Sequence, residues 1–333
     1  MKYITFLFLA FVLSMQSVCG QSMPPIKIIK TFHIASDGGW DYLAIGPSNK
    51  LYISHSTKVN ILDKTSGDSL GVILNTNGVH GIAFDEANGK GYISNGRSND
   101  VTVFDLKTDK EISRISTGEN PDAIMYDSYS KMIITCNGRS KDLTVINPQT
   151  QKVVATIPVG GKPETAVSNE AGNWFVNIED KNEIIEVNSK TFAVGKHWML
   201  APAEGPTGLA IDRSSKRLFA GCDKKLAVID YTSGKVVITL PIGNGCDGVA
   251  FDDRTKTIFT SNGEGTITVI KELSADSYEV AGNVQTKRGA RTITIDPATQ
   301  ILYLPASDLE KQQAAASGRP KSIPGSFQIL VIK

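Results

Sequence analysis

Apolar and polar residues alternate along most of this chain, in runs of five to seven. Val101-Thr102-Val103-Phe104-Asp105, Leu143-Thr144-Val145-Ile146-Asn147 and Ile267-Thr268-Val269-Ile270 are typical. Alternation with Gly, Asn and Asp turns every eight to twelve residues predicts short β-strands, and no segment carries a helical period. A longer unit repeats above this level: a small residue, alternating apolar residues, an Asp, a polar turn, then an aromatic-led strand. Copies read HGIAFDEANGKGYISN from His80, DAIMYDSYSKMIITCN from Asp122 and DGVAFDDRTKTIFTSN from Asp247. The position usually held by Asp falls at Gly46, Asp85, Asp127, Asn169, Asp212, Asp252 and Asp296, with spacings of 39, 42, 42, 43, 40 and 44. Seven copies at this period predict an all-β, single seven-bladed β-propeller of four-stranded blades.

The ends of the pattern predict how the ring closes. The seventh copy has two strands, then a long interruption, then a third strand at 327–333, and no fourth. A spare strand at 26–34 precedes the first copy, so it should pair beside 327–333. Closure of this kind removes the exposed edges that invite aggregation.

Tyr92-Ile93-Ser94-Asn95, the strand from Val101 and the loop Gly118-Glu119-Asn120-Pro121 resemble the YVTN repeat of YncE-like seven-bladed propellers, and Gly160-Gly161-Lys162-Pro163 repeats the loop. The resemblance spans nearly all of 21–333. It implies the propeller fold and export more than any one activity. The long Pro-containing insertion before the final strand also occurs in such propellers.

Lys2 followed by an apolar run from Ile4 to Met15 reads as a secretory signal, residues 1–20, with a cut before Gln21. The run is too short to span a bilayer, which needs about 20 apolar residues. A lipid anchor on Cys19 is the rival, although Gln16-Ser17-Val18 suits it poorly. The expected destination is therefore secreted or periplasmic. The chain has 35 Lys and Arg against 34 Asp and Glu, and without residues 1–20 the balance is 34 to 34. Such a balance argues against dedicated nucleic-acid binding, which depends on clustered cations. A monomer is the expected state.

In a propeller the innermost strands line a central channel. Five positions before the repeated Asp stand Asp41, His80, Asp122, Glu164, Thr207, Asp247 and Arg291. They should circle the channel mouth, either as a water-filled entrance or as a site for a cation or small ligand. Carboxylates suit Ca²⁺ or Mg²⁺, and a His admits Zn²⁺ or Mn²⁺. Asp122, Glu164 and Asp247 are the expected ligands of a divalent cation, if one binds. Clustered carboxylates should also raise some pKa values.

A second ring ends the second strand of each copy: His55, Asn95, Asn137, Asn177, Cys222, Asn262 and Ala306. Its Asn residues should bond local backbone in the turn. His55 and His80 lie one blade apart and are a candidate pair for one ligand. Cys222 and Cys246 are expected close together, as a disulfide in an oxidising compartment or as two buried thiols, with Cys136 a small core residue. The interruption at 307–326 should be a lid or partner-binding loop, with Lys311, Arg319 and Lys321 over the acidic ring.

Two motif matches fail their context. Gly67-Asp68-Ser69-Leu70-Gly71 lacks the strand-turn-helix of a nucleophile elbow, and Gly243–Gly248 precedes a strand rather than a dinucleotide-binding helix. Lys90, Lys131, Lys216 and Lys256 should lie in turns on the solvated opposite face. The expected role is a binding module for an unknown small molecule or protein. Alternatives are a metal-assisted hydrolase of the lactonase type, with His80 or His55 moving protons, and a pure structural scaffold.

Overall fold

The computed structural model describes residues 26–36, 38–310 and 321–333. The expected secretory segment, Cys19 and two cations of the long loop, Lys311 and Arg319, lie outside them. Seven four-stranded antiparallel sheets form the ring. Blade I holds β2–β5 (Trp40–Ile45, Lys50–His55, Lys58–Asp63, Ser69–Ile73) and blade II β6–β9 (Val79–Asp85, Lys90–Asn95, Asp100–Asp105, Glu111–Ser116). Blade III holds β10–β13 (Pro121–Asp127, Met132–Asn137, Asp142–Asn147, Lys152–Pro158) and blade IV β14–β17 (Pro163–Ser168, Asn173–Ile178, Glu183–Asn188, Val194–Met199). Blade V holds β18–β21 (Leu209–Asp212, Arg217–Cys222, Lys225–Asp230, Lys235–Pro241) and blade VI β22–β25 (Cys246–Asp252, Thr257–Asn262, Thr266–Ser274, Ser277–Gln285). The only helical turns among the described residues are two short 3₁₀ pieces, Glu86–Asn88 and Glu179–Lys181.

Blade VII is composite. Its order is β26 (Thr294–Ile295), β27 (Leu302–Ala306), β28 (Gln328–Ile332) and then β1 (Ile28–His33). The first strand pairs antiparallel with the last, with Thr31 opposite Leu330 and His33 opposite Gln328. Closure therefore follows the predicted route.

The middle two strands of each blade are covered on both faces, and this explains their nearly continuous apolar runs. Seven apolar clusters among the described residues each lie between one blade and the next. Blades III and IV, for example, meet through Ile134, Val145, Trp174 and Val187. The core is thus a ring of interfaces, and no blade buries its faces alone.

The repeated Asp ties neighbouring blades together as well. Asp127 accepts from Ser168 Oγ at 2.6 Å and from Trp174 Nε1 at 2.9 Å, both in blade IV. Lys256 of blade VI donates to Asp212 of blade V at 3.0 Å, Gln300 of blade VII to Asp252 at 2.7 Å, and Lys64 of blade I to Asp296 at 2.7 Å. Lys256 is accordingly not the free solvated lysine expected of the turn face. Lys131, Lys216 and Lys256 sit in left-handed turn positions, with φ of 60°, 60° and 49°. Ser69 begins the exposed outermost strand of blade I, and Gly243–Gly248 runs into strand β22, so neither motif gains its required context.

Candidate functional site at the channel mouth

The predicted inner ring owes its placement to an irregularity in the backbone. Ladder registers shift between Trp40 and Leu43, Val79 and Ile82, Pro121 and Ile124, Pro163 and Ala166, and Cys246 and Gly248. Asp41, His80, Asp122, Glu164 and Asp247 sit inside those shifts. A bulge of this kind re-aims a side chain and frees backbone groups from the ladder. Thr207 and Arg291 stand just before the shortened strands β18 and β26. The freed carbonyls find donors in the neighbouring blade. Ser94 Oγ donates to Asp122 O, Thr292 Oγ1 to Asp41 O at 2.6 Å, and Thr207 Oγ1 to Cys246 O at 2.8 Å.

The ring side chains form three charged groups, the first two joined through Asp41. His80 Nδ1 lies 2.6 Å from Asp41 Oδ2 and 3.7 Å from Asp122 Oδ1. Across the mouth, Arg291 Nε donates to Asp247 Oδ2 at 2.5 Å, and its guanidinium lies 3.7 Å from Asp41 Oδ1. Glu164 is paired with Lys162 at 2.5 Å, and Lys162 also reaches Glu179 at 2.5 Å. The three expected cation ligands are therefore split up: Glu164 and Asp247 each hold a cationic side chain. The donors that converge are Asp41, His80 and Asp122, with one ligand atom from each within 4.8 Å of the others.

Electrostatics at the mouth follow from burial and crowding of like charge. Burial, with Asp122 nearby, pushes the Glu164 carboxyl up to about 8 even though Lys162 pulls the other way. Burial pushes Asp122 up to about 6; His80 opposes the shift, and Asp41 and Asp247 add to it. For His80, burial alone favours the neutral ring, but the hydrogen bond to Asp41 and the charge of Asp122 outweigh it and raise the pKa. Burial opposes the charge on Arg291 too, yet Asp247 and Asp41 raise its pKa.

Tyr42 was not anticipated. Its neighbours in the repeat column, one residue after each ring position, are Gly81, Ala123, Thr165, Gly208, Gly248 and Thr292. A tyrosine among small residues was a signal visible in the sequence. Burial first, then Asp122, Asp41, Asp247 and Glu164, raise its phenol well above the ordinary value. Those four acids come from blades I, III, IV and VI.

The second ring behaves differently from the inner one. His55, Asn95, Asn137, Asn177, Cys222, Asn262 and Ala306 are all buried, so they do not present a rim. Asn95 Nδ2 donates to Asp100 Oδ1 at 2.6 Å and Thr102 Oγ1 at 2.8 Å, and Asn137 repeats this with Asp142 and Thr144 at 2.6 and 2.8 Å. Asn262 bonds Thr266 and Thr268, each at 3.1 Å. The expected backbone partners are replaced by side chains of the next strand. Only Asn177 bonds backbone, at Thr207 O and Gly208 O of the next blade, at 3.0 and 3.1 Å.

His55 does not share a ligand site with His80. It is buried, packs against Phe327 with ring centres 4.1 Å apart and planes tilted by 36°, and its Nε2 meets Gly38 O at 3.1 Å. Cys136, Cys222 and Cys246 are all free and buried, so of the two states expected for Cys222 and Cys246 the structure shows the buried thiols and not the disulfide. The reason is orientation: the Cys222 thiol turns to Ala220 O at 3.6 Å and the Cys246 thiol to Gly248 O at 3.7 Å, each on its own strand. Burial pushes the Cys222 thiol up to about 12 and raises that of Cys246, so neither is a poised nucleophile.

A cleft of about 570 Å³ opens beside the ring. Thr207, Asp247 and Arg291 line it together with Trp40, Arg288 and Leu309. The Trp40 indole N–H is shielded and has no hydrogen-bond partner among the described residues. The base of the long loop borders the cleft through Leu309 and Ser322, which pair as an isolated bridge.

No family model matches the chain, and no curated protein matches it. Solved structures do match. A chain of hydrazine synthase from Kuenenia stuttgartiensis aligns with a TM-score of 0.72 at 17% identity, covering 82% of this chain and 94% of that one. The likeness is one of fold. No helix among the described residues is long and apolar enough to cross a membrane.

Proposed function

We propose that this chain is an exported, monomeric, YncE-like binding module that receives a small molecule or a partner's side chain in the cleft at its channel mouth. The cleft carries the proposal: about 570 Å³ lies within the usual size range of ligand sites, and few but convergent polar groups line it. Arg288 makes no ion pair among the described residues, and the half-buried Trp40 lines the cleft with its flat ring. That combination favours a planar ligand bearing an anionic group, because guanidinium pairs with carboxylate in a bidentate way and stacks on planar groups. The rigid ring supplies the rim, and the loops supply selectivity.

The test is a titration of the full chain with a panel of aromatic and aliphatic carboxylates, followed by tryptophan fluorescence. Trp174 and Trp198 are buried, so the mouth signal comes from Trp40. Binding that disappears in Arg288→Ala and Arg291→Ala supports the reading. Binding that is the same in both variants places the site elsewhere and ends it.

A further inference from the structure

We propose that Asp41, His80 and Asp122 form a site for one divalent transition ion of the zinc–manganese class, open toward the channel. The site does not depend on the cleft reading, since its residues come from blades I, II and III. Three observations carry it.

The first is convergence. Three donor atoms from strands 39 and 42 residues apart meet within 4.8 Å, with His80 Nδ1 at 2.6 Å from Asp41 Oδ2 and 3.7 Å from Asp122 Oδ1. Ligand atoms about 2.1 Å from a common ion stand roughly 3.0–3.4 Å apart. The two separations bracket that range, so shifts of a few tenths of an ångström admit the ion. The second is Asp122 Oδ1 itself. It is shielded from solvent and accepts no hydrogen bond among the described residues. Shielded carboxylate oxygens are normally hydrogen-bonded or bound to a cation. The third is the seat of the imidazole. Its Nε2 edge lies against Gly96, where an added Cβ would fall 2.7 Å from Nε2, so the ring presents Nδ1 to the two carboxylates.

Donor chemistry selects the class of ion. An imidazole nitrogen is a poor ligand for Ca²⁺ and Mg²⁺, which take oxygen, while two carboxylates are poor for soft copper(I). Three protein ligands leave coordination positions free for water or another ligand, as in zinc sites that are not purely structural. At a pH where His80 is imidazolium, the ion takes the place of the Nδ1 proton while the ring keeps its Nε2–H, so one proton leaves for each ion bound.

The experiment is calorimetric titration of Zn²⁺ and Mn²⁺ into chelator-stripped full chain, in two buffers of different ionisation enthalpy. One ion per chain with release of about one proton is expected, weakened at least tenfold in His80→Ala and Asp122→Asn. Gly96→Val displaces the imidazole and should weaken binding by roughly 10- to 100-fold, as loss of a ligand's supporting contact does. Arg288→Ala, which alters the cleft and touches none of the three ligands, should bind the metal normally, so loss of cleft binding and loss of metal binding are separable. If a variant fails to fold, Mn²⁺ broadening of the His80 imidazole resonances in the unaltered chain decides the matter. No binding below about 100 µM, binding indifferent to His80 and Asp122, preference for Ca²⁺, or no broadening at His80 would each overturn the proposal.

Discussion

The two rings come from the same repeat and sit side by side at one end of adjacent antiparallel strands, Val79 facing Asn95 and Pro121 facing Asn137, yet they obey different rules. In the outer ring, Asn95, Asn137 and Asn262 repeat one arrangement, with each amide held by side chains of the following strand. In the inner ring every blade contributes a different partner: acid to imidazole, acid to lysine, acid to guanidinium, or hydroxyl to carbonyl. A repeated, buried position whose amide N–H groups are held within its own blade holds up the architecture. A position that varies from blade to blade, set in a bulge and aimed at a common axis, can specify a ligand.

The sharpest way to break the comparison is to strike the outer ring. Asn137→Ala removes all three bonds of a buried amide, the one it accepts from Thr135 and the two it donates, and leaves Asp142 and Thr144 short of a donor. Urea unfolding should show a loss of about 2–3 kcal/mol, and a change near zero would deny the outer ring its structural role. The inner ring should answer to pH instead. Glu164 and Asp122 have raised folded pKa values, so protonation favours the folded chain, and stability is present near pH 4.5 and falls as pH rises toward 8. The raised pKa of His80 acts in the same direction, its contribution being lost as pH passes above the ordinary histidine value. Glu164→Gln should flatten this slope by on the order of 1–2 kcal/mol, read as the melting temperature from pH 5 to 8. An unchanged slope would mean that the mouth acids do not hold these protons.

Smaller still is the expected stability cost of Arg291→Ala. Its pair with Asp247 is about a quarter exposed on each side, and such pairs contribute up to about 1 kcal/mol. A loss of several kcal/mol would recast the inner ring as structural. The smallest expected effect is that of a reductant. With Cys136, Cys222 and Cys246 free, dithiothreitol should leave the melting temperature unchanged, and thiol reagents should find their targets only after unfolding. Destabilisation by the reductant would show that a disulfide forms in solution.

The fold was legible because its causes are local and repeated. Alternation and turn residues recur seven times at a period of 39 to 44 residues, with Asp at the marker position in five copies, so one reading corrects another. The angular placement of Asp41, His80, Asp122, Glu164, Thr207, Asp247 and Arg291 was legible for the same reason. Which of them touch was not. Lys162, two residues outside the ring column, decides that Glu164 is neutralised, and the rotamer of Arg291 decides the same for Asp247. Those choices depend on packing across the channel, for which the repeat has no template. His55 failed for a related reason: Phe327, from the blade that closes the ring, covers it, and that contact spans nearly the whole sequence.

The closing strand has a mechanical consequence. Lys27 and Lys333 exchange backbone hydrogen bonds at 2.9 and 3.0 Å, so the start of β1 and the end of β28 lie side by side at one end of their antiparallel ladder. A pull applied between these two residues would load the bonds of the β1–β28 ladder one after another, like a zipper, rather than all at once in shear. The ring can therefore resist heat as a cooperative whole and still open under a modest force, blade VII first, with six blades left standing.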